Sequence, residues 1–252
     1  MEFLLVIVVL AAVVFVVAKT QKRSSATQLE DAKADARQSI ERLGGQVFNL
    51  VGSDTPSKQA LADASERYTA AGSQIDQATT PAQARLAKQT ALEGLYYIRA
   101  ARIAMDMDPG PEVPTLDGQK AAGTVTEDRE VEFEGRQVAA SPNPSSRTPN
   151  YYPGGRVAGR PVPAGWYSEP WWRPALVAGA WGVGSMFLFS AMFSGMSGVG
   201  YSANEFESGA GDASQELGDS ADAGDMGDTG DMGDTGGGDF DLGGGDFGGF
   251  DF

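Results

Sequence analysis

Two long apolar segments stand out along the chain, one at its start and one in its last third. Residues 3–18 form a run of Phe, Leu, Val, Ile and Ala without a charge. Residues 175–201 are also uncharged, but they include many Gly and Ser residues. Because about 20 apolar residues in a helix span a bilayer, this pattern predicts an uncleaved transmembrane anchor at residues 1–23 and a second transmembrane segment at residues 174–201.

The flanks of the two segments predict how they are oriented. Basic residues follow the first segment from Lys19 onward, and Arg173 stands directly before the second. By the positive-inside bias, they predict a cell-membrane protein with two spans, a cytoplasmic middle and both termini outside. An interfacial or re-entrant second segment is the alternative that its glycines leave open. Residues typical of a membrane interface are Trp166, Trp171, Trp172 and Arg173.

Small residues recur four positions apart in the second segment. On a helix this spacing stacks them on one face, where they let two helices approach closely in lipid. The pattern favours packing on the first span or self-association, although Gly is common in membrane helices in any case. The candidate helix-association residues are Gly182, Gly184, Ser190, Ser194 and Gly195.

The middle of the chain begins with three amphipathic helical patterns within residues 24–108. Apolar positions alternate at spacings of three and four from Leu29 to Leu50, which is a heptad seam. Thr55 is a candidate N-cap for the second helix, and Thr80 with Gln83 forms a capping box for the third. The pattern predicts an Ala-rich bundle or coiled coil, or a hairpin with the first helix extended. The chain is thus predicted to be mainly α.

Two linkers are predicted between the bundle and the second apolar segment. Residues 109–140 are acidic, and the alternation around residues 130–139 predicts a small β-hairpin. Residues 141–173 are rich in Pro, Gly and aromatic residues, which indicates a membrane-proximal linker without a core. The aromatic residues next to arginines also fit a docking element for a partner.

One stretch carries a resemblance to a known family. The order of an apolar anchor, an Ala-rich helical block, YYPGGRVAGRPVPAGWYSEPWWRPAL and a Gly- and Asp-rich end resembles an actinobacterial family of membrane proteins of unknown function. The likeness is most specific over residues 151–184. It implies a bacterial envelope protein and carries no activity or site residues with it.

The net charge of −15 belongs to the end of the chain. All 19 Lys and Arg residues lie between Lys19 and Arg173, and from Pro174 onward every charge is acidic. Residues 202–252 are of low complexity, rich in Gly and Asp, which predicts a disordered acidic tail. Its aromatic residues are candidates for docking to a partner, although a tail without a partner fits equally well. The candidate tail-docking residues are Phe247, Phe250 and Phe252.

Composition limits the chemistry that the chain can perform. It contains no Cys and no His, which removes thiolate chemistry and the commonest metal ligand. No catalytic residue, cofactor, metal site or nucleic-acid interface is therefore predicted. We expect a non-enzymatic, membrane-anchored scaffold or adaptor of the bacterial envelope, with an unknown protein partner. The alternative is a self-associating membrane element or small pore built on the second span, and an enzyme using carboxylates is least favoured.

Overall fold

The computed structural model describes the backbone of residues 2–209 and the side chains of residues 25–209. The side chains of the predicted anchor, and residues 210–252 with Phe247, Phe250 and Phe252, lie outside this description. The elements are α1 Glu2–Asn49, α2 Thr55–Gln77, α3 Pro81–Ala104, α4 Gln119–Ala122, β1 Arg129–Phe133, β2 Arg136–Ser141, β3 Asn150–Tyr152, β4 Gly155–Val157, β5 Arg160–Val162, β6 Gly165–Tyr167, α5 Arg173–Ala178, α6 Ser185–Phe193 and α7 Ala203–Ser208.

Local capping sets where α2 and α3 begin. The predicted capping box of α3 is confirmed, since Thr80 Oγ1 accepts from the Gln83 backbone N–H at 3.2 Å. The N-cap of α2 is Asp54 rather than the predicted Thr55, because Asp54 Oδ1 accepts from the Ser57 backbone N–H at 2.8 Å. These bonds satisfy backbone donors that a helix N-terminus leaves unpaired.

The helical lobe (residues 25–104) is a bundle in which α1, α2 and α3 pack together through alanines. The short connection from α2 to α3 makes these two helices antiparallel neighbours. Gly94 of α3 faces Leu43 of α1 with no space for a Cβ, and a Cβ at Gly44 would lie 2.7 Å from the Tyr68 ring. The glycines that weaken helix propensity here thus let the helices approach closely.

The sheet lobe (residues 119–209) contains a four-stranded antiparallel sheet of order β1-β2-β6-β3. Glu130 pairs with Ala139 in the β1-β2 hairpin, in the region where alternation predicts one. A separate hairpin of β4 and β5 lies beside the sheet. Residues 141–173 therefore differ from the predicted coreless linker, because they supply strands β3 to β6.

The second apolar segment does not form one helix. It is divided between α5 and α6, with a loop over residues 179–184 between them. Among the described residues, no helix combines the length and the apolar composition needed to cross a bilayer. This finding corrects the predicted fold class, membrane keywords and localisation: the prediction of a two-span cell-membrane protein with a cytoplasmic middle and outside termini is wrong. The alternative of a self-associating membrane element or small pore requires this segment to be one helix, whereas it is divided between α5 and α6.

The apolar side chains of this segment instead form the core of the sheet lobe. Phe189 stacks on Phe206 at 4.2 Å between ring centroids, and Phe193 lies 6.3 Å from Tyr167 of β6. A sheet face needs an apolar layer packed on it, and α6 supplies that layer. The buried cluster comprises Val125, Val138, Ala140, Tyr152, Val157, Val162, Tyr167, Trp172, Ala175, Leu188, Phe189, Met192, Phe193, Met196, Val199, Tyr201 and Phe206.

Candidate interaction site

The four residues predicted to mark a membrane interface lie within the fold. Trp166 and Trp172 are buried, and Trp171 is partly buried against the sheet-lobe core. Arg173 donates from Nη2 to Glu66 Oε2 of α2 at 2.6 Å. Trp and Tyr rings combine a large apolar body with a polar tip, so the same cluster of residues that suits a bilayer surface also suits a folded core.

The candidate helix-association residues do not share one helix face. Gly182 lies exposed in the loop before α6, and Gly184 is the N-cap of α6 with a φ of 96°. Ser190 lies within α6, Ser194 is its C-cap, and Gly195 follows with a φ of 73°. The predicted stripe of small residues requires one continuous helix, and the glycines interrupt that helix on both sides.

Trp166 joins the sheet lobe to the helical lobe. Its ring packs with Ala60 of α2 and Ala100 and Ala101 of α3, in a small buried cluster that Tyr151 adjoins. Since alanine is the smallest side chain with a Cβ, the helices leave space for the indole ring at this contact. Trp166 therefore fixes how one face of the sheet meets the bundle.

A polar cluster lies beside this contact. Arg67 Nε is 3.2 Å from Glu93 Oε1, with side chains about one fifth exposed, and Arg173 Nη2 is 3.6 Å from Asp63 Oδ1. Burial raises the pKa of the Glu93 and Asp63 carboxyls, and it raises that of the Tyr97 hydroxyl well above the ordinary value. Each acid has an arginine beside it, so the cluster links elements of the fold. Among the described residues, no carboxylate group of three or more is placed to hold a metal ion.

The aromatic groove is an open cleft of about 320 Å³ on the sheet lobe. Trp171 and Trp181 form its aromatic wall, with ring centroids 5.5 Å apart. The groove is lined by Phe133, Glu134, Arg136, Glu169, Pro170, Trp171, Pro174, Ala175, Trp181, Gly182, Val183, Ser185 and Leu188. It thus brings together β1, β2, α5, α6 and the loop between the last two.

Specific contacts hold the loop at the edge of the groove. Trp181 Nε1 donates to the Val157 carbonyl at 2.8 Å, which ties the loop to β4. Arg160 Nη1 donates to Ser185 Oγ at 3.1 Å, and Gly184 supplies the positive φ with which α6 begins. The groove wall is therefore fixed by hydrogen bonds to the β4-β5 hairpin as well as by packing.

Four apolar side chains within residues 176–187 face solvent, and one of them, Val183, lines the groove. Val177 is 84% exposed, Val183 is fully exposed and Phe187 is 69% exposed, and Leu176 is nearly half exposed. No charged residue occurs between Arg173 and Glu205. Exposed apolar residues scattered singly are ordinary, but a group of them beside a cleft is typical of a binding surface. This apolar stretch (residues 176–187) and the groove form the candidate site.

Charges stand on two sides of the groove. Arg136 Nε lies 3.4 Å from Glu169 Oε1, and its Nη2 lies 3.9 Å from Glu134 Oε2, so one guanidinium offsets the two carboxylates in part. The Arg160 guanidinium carbon is 5.8 Å from the Trp181 ring centroid and 5.3 Å from that of Phe206. Within residues 25–209, Arg160 makes no ion pair, and it reaches the groove only through Ser185 at the edge.

The sequence gives partial signals for this site. Trp171 and Arg160 belong to the predicted docking element within residues 141–173, but Trp181, Val183 and Phe187 are not predicted. The available signal is the spacing of Gly179, Gly182 and Gly184 around Trp181. Glycines this frequent disfavour a continuous helix, and they favour a loop that presents the residues between them.

Comparison of the chain with protein-family models, with curated proteins and with solved structures finds no match. The resemblance to an actinobacterial family therefore stays a prediction, and the function is argued from the site alone.

Proposed function

We propose that this chain is a non-enzymatic adaptor that binds a segment of another protein in the aromatic groove. The observation that carries the proposal is the position of the apolar stretch beside the Trp171 and Trp181 wall, on a lobe with a well-packed core. Tryptophan side chains in a pre-formed pocket supply large contact area with little loss of conformational entropy on binding. A rigid groove with an apolar rim is suited to hold an aromatic or aliphatic anchor.

The shape of the groove favours a peptide over a compact metabolite. The cleft is open along one side, and its polar groups lie near its edges: Arg136 with its two glutamates, and Ser185 held by Arg160. Sites for small molecules usually enclose most of the ligand surface. An extended segment that places one ring in the groove and its flanking residues over the apolar stretch uses all of these features.

The test is selection from a displayed library of random peptides against the full chain, followed by affinity measurement for the enriched sequences. We expect peptides with an aromatic anchor, and we expect Val183→Asp to weaken their binding at least tenfold, because a carboxylate then stands at the groove wall. Val183 is fully exposed, so the variant retains the fold. Leu86→Asp is the matched control, since Leu86 is exposed on α3 far along the chain from the groove.

Two outcomes would count against the proposed function. One is a selection that enriches no sequence above the level seen with an unrelated protein. The other is a set of peptides whose affinity falls equally with Val183→Asp and with Leu86→Asp, since their binding would then not depend on the groove.

A further inference from the structure

We infer that the aromatic groove binds the end of this same chain, through the Asp-Phe segments within residues 239–252. The inference rests on the proposed function, because it assigns an occupant to the same groove. It makes the tail a cis ligand that any partner has to displace.

The described part of the chain ends close to the groove. Phe206 of α7 is fully buried, and its ring centroid lies 5.2 Å from that of Trp181 and 6.2 Å from that of Trp171. Three residues later, the Gly209 carbonyl accepts a hydrogen bond from Arg156 Nη1. The described chain therefore ends three residues after a ring that packs against Trp171 and Trp181.

The length of the remaining chain allows the contact. An extended chain spans about 3.3 Å per residue, so the segment from residue 210 to residue 246 reaches well beyond the dimensions of the lobe. A tethered segment is present at an effective concentration of millimolar order. Even a weak intrinsic affinity of its aromatic residues for the groove would then keep the groove largely occupied.

The composition of the tail end fits the chemistry of the groove. Asp precedes Phe at three places, Phe240, Phe247 and Phe252, and each such pair joins a ring to a carboxylate. At the edge of the groove, Arg160 donates a hydrogen bond to the lining residue Ser185, and its guanidinium carbon lies 5.8 Å from the Trp181 ring centroid. When a Phe ring packs on the indole wall, the carboxylate of the adjoining Asp lies within range of Arg160. The ring and the carboxylate then each have a binding partner.

The glutamates at the groove explain why the last segment is favoured over the rest of the tail. Glu134 and Glu169 stand at the mouth, where Arg136 offsets them only in part. The GDMGDT repeats at residues 224–235 carry an Asp every third residue and no aromatic residue, so they meet repulsion without a compensating ring contact. The Gly-rich end of the chain carries phenylalanine rings and a lower density of acidic residues than the repeats, so it is the better occupant of the groove.

The absence of Cys in the chain permits a clean test. Ala180→Cys places a thiol on the exposed loop beside the groove, and Gly249→Cys places one between Phe247 and Phe250. The rate at which a short bis-maleimide joins the two thiols is measured in the full chain at low micromolar concentration. The matched control pairs Gly249→Cys with Gly45→Cys, an exposed α1 position with no atom within 4 Å of a Cβ.

We expect the groove pair to react within one molecule at least tenfold faster than the control pair. Replacing Phe240, Phe247, Phe250 and Phe252 by Ser should reduce the groove rate to the control rate. Arg160→Gln should reduce it several-fold, because the glutamine side chain is polar but uncharged. These substitutions should leave the control pair unchanged, since its rate reports chain collisions alone.

The inference is overturned if the four serine substitutions leave the groove rate unaltered, or if the product is a covalent dimer whose yield rises with concentration. The second result would assign the tail to the groove of another copy. The two proposals fail separately: selected peptides should bind the four-serine variant several-fold more tightly than the unaltered chain. If the peptides bind the two chains with equal affinity, only the binding of the tail to its own groove is overturned. Fast cross-linking together with a selection that enriches no peptide counts only against the adaptor function.

Discussion

Glycine determines where two backbone segments of the sheet lobe can touch. The Thr124 backbone N–H donates to the Gly198 carbonyl at 2.8 Å, which joins the segment before β1 to the segment after α6. A Cβ at Gly198 would overlap the Thr124 carbonyl oxygen. The contact therefore depends on the absence of a side chain at Gly198 and also at Gly123, whose Cβ would lie 2.3 Å from the Gly198 carbonyl oxygen.

We expect Gly198→Ala to lower the free energy of unfolding by about 1–3 kcal/mol, the range for forcing atoms into a packed site. Gly182→Ala is the matched control, because a Cβ at Gly182 meets no atom within 4 Å. Urea denaturation of the two variants measures the difference. A cost at Gly182 equal to that at Gly198 would mean that the close approach is absent.

A second prediction at the residue scale concerns Glu93, whose carboxyl pKa is raised by burial. The folded state then binds a proton more tightly than the unfolded state, so stability increases as the pH falls through the folded pKa and levels off below the unfolded value of about 4.5. We expect the unfolding free energy of the unaltered chain, relative to Glu93→Gln, to rise as the pH falls from 7 to about 4.5.

The measurement is chemical denaturation across that pH range, with Glu41→Gln on the exposed side of α1 as the control substitution. A difference between the unaltered chain and Glu93→Gln that stays constant with pH, or that shrinks as the pH falls, would contradict the raised pKa. The Arg67 guanidinium lowers the pKa of Glu93 and therefore opposes the effect of burial. Comparing Glu93→Gln with Glu41→Gln separates the contribution of Glu93 from the effect of removing any one carboxylate.

At the scale of the elements, some structure is encoded locally and some is not. The capping box at Thr80 and the alternation in β1 and β2 involve neighbouring residues, and both are readable from the sequence. Strands β3 to β6 have three residues each, too few to show a period. β6 pairs with β3 and with the distant β2, whereas β4 and β5 pair with each other as a short hairpin. Pattern analysis alone could not predict them.

The second apolar segment shows a different limit of sequence analysis. Its lack of charge fits a membrane span, and hydropathy does not distinguish lipid from a sheet face as the partner of an apolar helix. The glycines around Trp181 break the helix and leave α6 with a buried side and an exposed side. The candidate site arises from that two-sided arrangement. Of its lining, only Trp171, as an interface residue, and Gly182, as a helix-association residue, are named as candidates from the sequence.

The contact between α3 and β6 gives a prediction at this scale. Ala101 is fully buried against Trp166, so Ala101→Leu should destabilise the protein by about 1–3 kcal/mol. Ala82→Leu, at an exposed position of the same helix, should have little effect, because leucine is also a good helix former. Thermal or urea unfolding compares the two. Equal stabilities would show that the indole does not pack on α3.

At the scale of the whole molecule, the two lobes differ in their cores and in the features that they carry. The helical lobe has a thin core of alanines, whereas the sheet lobe has an aromatic core and carries both the groove and the start of the tail. Trp166 and the Arg173 pairs connect the lobes. A binding event in the groove thus acts on the lobe with the aromatic core, which suits a pre-formed site.

The central claim is that α6 packs one side into a folded core and presents the other side for binding. Phe189 and Phe187 test it directly, since they are two residues apart and are 1% and 69% exposed. We expect Phe189→Ala to lower the urea unfolding free energy by about 3–5 kcal/mol, and Phe187→Ala by no more than about 1 kcal/mol. Equal costs for the two substitutions would contradict this account of the fold and of the site.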